Sequence, residues 1–173
     1  MKLPKNGFTL VEILIAISII SIVFGIVLTS AAAIQRNGRD TQRKADLASL
    51  QSALQQYYAD QNFYPDDDAN TPLKLSGAGA ITSLTSRVGN PDQTQPIKTY
   101  LSSIPKDPTS GTATPYCYKA YSSVADFPAN ATPCDNASTA KCFYYAVYAK
   151  LENSTGNSYT CNSQTYNYQI TPN

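Results

Sequence analysis

Gly7-Phe8-Thr9-Leu10-Val11-Glu12, with the apolar run behind it that continues to Ile34, is the stretch on which the reading of this chain turns. No charged residue occurs from Ile13 to Ile34, and at about 1.5 Å of rise per residue these positions span roughly 33 Å as a helix, the thickness of a bilayer's hydrocarbon core. The segment is expected to cross a membrane. Ahead of it stands a short basic leader, residues 1–7, carrying Lys2 and Lys5. Glu12 is the anomaly, because a carboxylate in hydrocarbon costs about 2.5 to 3.5 kcal/mol on insertion scales and so needs a partner or a proton. If the chain were cut after Gly7, the new amine on Phe8 would lie about one helical turn from Glu12, or near the Glu12 of a neighbouring copy. The two charges would then neutralise each other where neither is well solvated.

At these residues the chain resembles the type IV pilin and type II secretion pseudopilin family. The resemblance implies that a prepilin peptidase cuts between Gly7 and Phe8, that Phe8 becomes N-methylated, and that Glu12 guides subunits into a helical filament. Thr9, Leu10 and Val11 also stand as the family has them. A secretory signal peptide cut near Ala31-Ala32-Ala33 is the competing reading, but an h-region is usually about 7 to 15 residues long and an acid inside it is unexpected. A plain single-pass anchor leaves Glu12 without a purpose.

With 173 residues there is room for one domain beyond the helix. The 13 basic and 12 acidic residues nearly balance, and loss of Lys2 and Lys5 leaves 11 against 12, or −1 before the new amine is counted. Head cations such as Arg87, Lys106, Lys119 and Lys150 are scattered rather than clustered, so no nucleic-acid partner is expected. The chain has no His, which removes the side chain best suited to proton transfer near neutral pH. No nucleophile stands beside a base at recognisable spacing, and there is no phosphate-cradling glycine loop. An enzyme is therefore not expected, nor is a cofactor. Asp66-Asp67-Asp68 could offer oxygens to calcium, yet three consecutive acids point in different directions and read as a solvated loop, so no metal is assigned.

Cys117, Cys134, Cys142 and Cys161 do not form the C-x-x-C pairs of a zinc site. Two disulfides in an oxidising compartment are expected, with three connectivities open. Cys134 with Cys142 would close a small ring and leave Cys117 for Cys161; each bridge would contribute about 2 to 4 kcal/mol.

Past the apolar half, residues 8–34, the helix pattern continues over 35–60. Leu47, Leu50, Leu54, Tyr57 and Tyr58 recur at spacings of three and four, on one face. Between the two halves Arg36, Arg39, Arg43 and Lys44 stand where a membrane or filament core would meet water, and interfacial anchoring is their expected role. Gly25 and Gly38 are weak points, each costing about 1 kcal/mol against Ala. Asp60-Gln61-Asn62-Phe63-Tyr64-Pro65 ends the helix and is similar to the block that ends the family's amphipathic helix.

Residues 61–173 should form a globular head: a loop-rich connector and an antiparallel sheet, for an α+β, pilin-like fold. Ile81–Val88 is undecided between helix and strand. Tyr100 to Pro108 reads as a short element ended by a turn at Asp107-Pro108; it resembles the segment before the sheet in major pseudopilins, with Thr109 where those commonly have Trp. Tyr116–Tyr121 reads as a strand. Cys142 to Leu151 should place Phe143, Tyr145, Val147, Ala149 and Leu151 on one face. A turn around Gly156 and a last strand from Thr165 to Thr171 follow, the sheet's apolar face being covered by the Leu47–Tyr58 stripe. Asn130, Asn136 and Asn153 begin N-x-S/T sequons.

The resemblance implies a structural subunit that polymerises with copies of itself. Its partners would be the peptidase and the assembly machinery in the membrane, and it would sit as a single-pass protein of the inner membrane before joining an extracellular filament. The alternatives are a type II secretion pseudopilin and a minor pilin acting as adhesin or DNA receptor.

Overall fold

A computed structural model of the chain describes residues 7–67 (backbone alone for 26–30), 75, 81–88, 90, 92, 94–109, 116–123, 134, 136 and 140–172. Residues 1–6 of the leader, with Lys2 and Lys5, Asp68 and the Asn130 sequon lie outside these residues. The chain divides into two compact units, Met1–Gly38 and Arg39–Asn173.

One helix of 52 residues, α1 (Leu10–Gln61), runs through both. Gly25 and Gly38 do not interrupt it, and no neighbouring atom comes within 4 Å of a Cβ placed on either. It stops where the sequence loses helix formers. Asn62 takes a left-handed conformation (φ 61°) and its N–H donates to the Tyr58 carbonyl at 2.8 Å, the αL ending that glycine or asparagine provides at little steric cost.

In the second unit, Leu47, Leu50, Ala53, Leu54 and Tyr57 are buried, so the three-and-four spacing marks the covered stripe. They share one core with Tyr118, Ala120, Tyr145, Val147 and Ala149. These come from β3 (Cys117–Tyr121) and β4 (Tyr144–Ala149), antiparallel neighbours that pair Cys117 with Tyr148 and Tyr121 with Tyr144. On the other edge of β4 lies β7 (Tyr168–Ile170), also antiparallel. The undecided stretch 81–88 contains a two-residue strand, β1 (Leu84–Thr85), paired with β2 (Thr99–Leu101).

The sheet's second face is buried as well: Cys117, Tyr121, Ala146, Tyr148, Cys161 and Tyr166 form a separate cluster there. The sheet departs from expectation in two places. Phe143, assigned to the inward face, lies before β4 begins and is 52% exposed. The last strand is two strands: β6 (Gln164–Tyr166) pairs with an unforeseen β5 (Tyr159–Cys161) in its own hairpin, and only β7 joins the main sheet.

Asn162 and Ser163 connect β5 to β6 with φ of 48° and 62°, the two positive values that a tight hairpin of matching twist requires. Asn167 then redirects the chain. Its N–H donates to Ala149 O, its Oδ1 accepts from Leu151 N at 2.7 Å, and its Nδ2 donates to the carbonyls of Leu151 and Ser154. Four contacts from one side chain and its backbone hold the chain at the point where it leaves the hairpin for β7.

The cysteines pair as Cys117–Cys161 and Cys134–Cys142. The first ties the β5–β6 hairpin to β3 across 44 residues of sequence, so replacing both Cys117 and Cys161 with Ala should lower head stability by about 2 to 4 kcal/mol. Tyrosine fluorescence followed during urea unfolding of the oxidised and substituted proteins would measure it; a loss below about 0.5 kcal/mol would mean that the hairpin holds its place without the bridge.

Candidate functional site

The segment around Gly7 and Glu12 is exposed. A Cβ on Gly7 would meet nothing within 4 Å, so packing in the folded chain does not demand glycine there, and Phe8 is 85% exposed. Glu12 does not stand alone. Its Oε2 accepts from both the backbone N–H and the hydroxyl of Thr9 at 2.9 Å, while the Thr9 hydroxyl oxygen accepts from the Glu12 N–H at 3.3 Å. This is a capping box, in which residues at the helix start and three positions on satisfy each other's otherwise orphaned N–H groups. The pattern Thr9-x-x-Glu12 ahead of an apolar run carries that signal in the sequence, beside the expectation that Glu12 acts as a charge. The box supplies two donors to the carboxylate but no positive charge.

Behind the cap, the large apolar side chains from Leu10 to Phe24, and Ile34, are all at least half exposed. The serines in that run add no outward polarity, for Ser18 Oγ donates to Leu14 O and Ser21 Oγ to Ile17 O, both at 2.7 Å. Hydroxyls folded back on the preceding turn leave a helix that is apolar on every side, the composition of a segment buried in lipid or among other helices. Among the described residues no helix is long and apolar enough to cross a membrane; the side chains of 26–30, inside the apolar run, are not among them.

The basic block is placed differently from expectation. Arg43 is not an interfacial anchor but, among the described residues, the most deeply buried charge of the second unit, 2% exposed. Its Nε and Nη2 donate to the two oxygens of Asp107 at 2.8 and 3.2 Å, its Nη1 to Asp40 at 2.8 Å and Glu152 at 3.0 Å, and its Nη2 also to the Thr109 hydroxyl at 3.0 Å. Arg39 grips Glu152 with two further bonds of 2.6 and 2.7 Å. The donors on Arg39, followed by those on Arg43, hold the Glu152 carboxyl down at about 2. Burial alone would push the Asp107 carboxyl up; the Arg43 and Thr109 donors outweigh it and leave the group below its ordinary range. Lys44 sits 5.8 Å from the ring centre of Tyr168.

The other candidates are absorbed by the fold. Asp67 pairs with Lys119 at 2.7 Å, Asp66 is buried, and no group of three His, Cys, Asp or Glu among the described residues could hold a metal. Asn136 is buried, its Nδ2 donating to Tyr64 O and its Oδ1 accepting from Cys142 N, which closes that sequon to modification in the folded head. Asn153 remains exposed.

The family model described as the prokaryotic N-terminal methylation motif matches residues 3–28. Over 104 residues the chain is 27% identical to a protein of Pectobacterium carotovorum subsp. carotovorum named type II secretion system core protein G, covering 60% of this chain and 62% of that one. The chain thus spans less than two thirds of the length of this curated relative. No solved structure matches it.

Proposed function

We propose that this chain, a member of the type IV pilin and pseudopilin family, is a structural subunit of a type IV pilus-like filament. One observation carries the reading: the helix that begins at Leu10, two residues past Phe8, is apolar on all sides as far as Phe24 and has a single carboxylate, Glu12, in its first turn. Cleavage between Gly7 and Phe8 by a prepilin peptidase frees an amine, and the apolar half then passes from the membrane into a bundle of its own copies, which buries the side chains left bare in the single chain. The Glu12 carboxylate meets a Phe8 amine in that bundle. The partners are thus other copies of this chain, the peptidase and the membrane assembly machinery, and the protein moves from the inner membrane to the cell surface.

The mature protein should begin at methylated Phe8. Intact mass and N-terminal sequencing of protein recovered from filaments read this directly; a start near Ile34 would overturn it. A second reading, a pseudopilin of type II secretion, is favoured by the similarity to core protein G. Deleting the chain separates the two. Loss of surface filaments in micrographs with protein export intact supports the pilus-like role, whereas loss of export supports the secretion role.

A further inference from the structure

Among the described residues, the densest group of ionisable side chains outside the N-terminal segment surrounds Arg43, and it joins three stretches of chain: the α1 turn 39–43, the turn 107–109 and the loop 151–153. Carboxylates make every polar link described above between α1 and these loops, apart from the Arg43 bond to Thr109. Asp107 and Glu152 are gripped by Arg43, and Glu152 again by Arg39. Asp40 accepts the backbone N–H groups of Glu152 and Asn153 at 2.8 and 2.9 Å. One further ionisable contact flanks the cluster, the Tyr116 hydroxyl donating to Asp46 at 2.7 Å. The contact between the three-stranded sheet and α1 is held differently, and the remaining carboxylate pairs among the described residues, Asp60 with Lys98 and Asp67 with Lys119, lie outside these loops. Leu47, Leu50 and Leu54 share an apolar core with Tyr145 and Val147, and two disulfides staple the loops and hairpin; none of these takes up a proton in acid.

We propose that the Arg43 cluster is an acid-released clamp: protonation of Asp107 and Glu152 frees the 107–109 and 151–153 loops from α1 while the three-stranded sheet and its apolar contact with α1 stay in place. Local openings of this kind occur where few apolar contacts accompany the polar ones. The direction follows from linkage. Carboxyls held below their unfolded values contribute stability above those values and lose it as pH falls through the folded ones. For Glu152 that window runs from 4.5 down to about 2, and Asp107 is displaced the same way.

Amide hydrogen exchange of the full chain in detergent micelles, corrected for the intrinsic effect of pH, tests this. The amides of Glu152 and Asn153, which donate to Asp40, and of Thr109, which donates to Asp107, should lose protection by at least about tenfold across that window, the equivalent of one pKa unit. Amides of β4 should keep theirs. Glu152→Gln, at a partly exposed position that does not endanger folding, should raise exchange at Asn153 near neutral pH, whereas Asp67→Asn, which breaks the separate pair with Lys119, should not. The proposal is overturned if the three amides stay protected through the window, if they open only together with β4, or if Glu152→Gln leaves Asn153 unchanged.

Discussion

Cells making the Glu12→Gln subunit at normal levels should carry few or no filaments, while the subunit stays in the membrane with its head folded. The capping box makes this substitution a clean probe of charge. Gln at the third helical position still accepts from the Thr9 N–H, as Glu does, so the helix start survives and only the negative charge is lost. Among the described residues the carboxylate's donors both come from Thr9 and neither is a cation; in the proposed filament its counter-charge is the Phe8 amine that cleavage after Gly7 would create. At about 4 Å and an effective dielectric of 20 the attraction is about 4 kcal/mol before desolvation is subtracted. Glu12→Lys should be worse, since it removes the cap and repels the amine. Sheared-filament yield and electron microscopy at matched subunit levels measure the effect. Filaments of normal number and length from Glu12→Gln would remove the assembly role assigned to this carboxylate.

Arg43→Ala should destabilise the head by about 3 kcal/mol, the lower end of the 3 to 5 kcal/mol typical of removing one partner from a buried ion pair. The loss arises mainly from what is left behind: the Asp107 side chain, 2% exposed, and the Asp40 side chain, 10% exposed, would lose their cation while remaining out of water. Opening of the two loops lets water reach these carboxylates, which is why the lower end applies. Arg43→Lys should fall between the wild type and Arg43→Ala, because an ammonium keeps the charge but cannot bond both Asp107 oxygens in the plane that a guanidinium offers. Against a total stability of about 5 to 15 kcal/mol for a domain, the change is large enough to read from denaturant midpoints. A change under about 1 kcal/mol for Arg43→Ala would mean that the cluster adds no more than an exposed surface pair.

The elements legible in the sequence are those specified by neighbours along the chain. The apolar run from Ile13, the stripe Leu47, Leu50, Leu54 and Tyr57, the stop at Asn62 and the strands around Tyr118 and Tyr145 all announce themselves through local periodicity or backbone preference, which act within a few residues. The Thr9–Glu12 box belongs to the same class, a local pattern hidden behind the more conspicuous charge that Glu12 brings into an apolar run. Of the three pairings the cysteines allow, closure of a small ring favours Cys134 with Cys142 and leaves Cys117 for Cys161, and these are the pairs present. Arg43 looked like its neighbours Arg36 and Lys44, since no local pattern distinguishes a buried arginine from a solvated one. What buries it is Asp107, 64 positions away, and Glu152, 109 positions away. The same holds for β4: alternation identified the face that meets α1, but Ala146 and Tyr148 became interior only because the β5–β6 hairpin, stapled through Cys161, folds over them. Burial of a charge or of a strand's second face depends on which distant segment arrives, and that is set by three-dimensional packing rather than by the residues on either side.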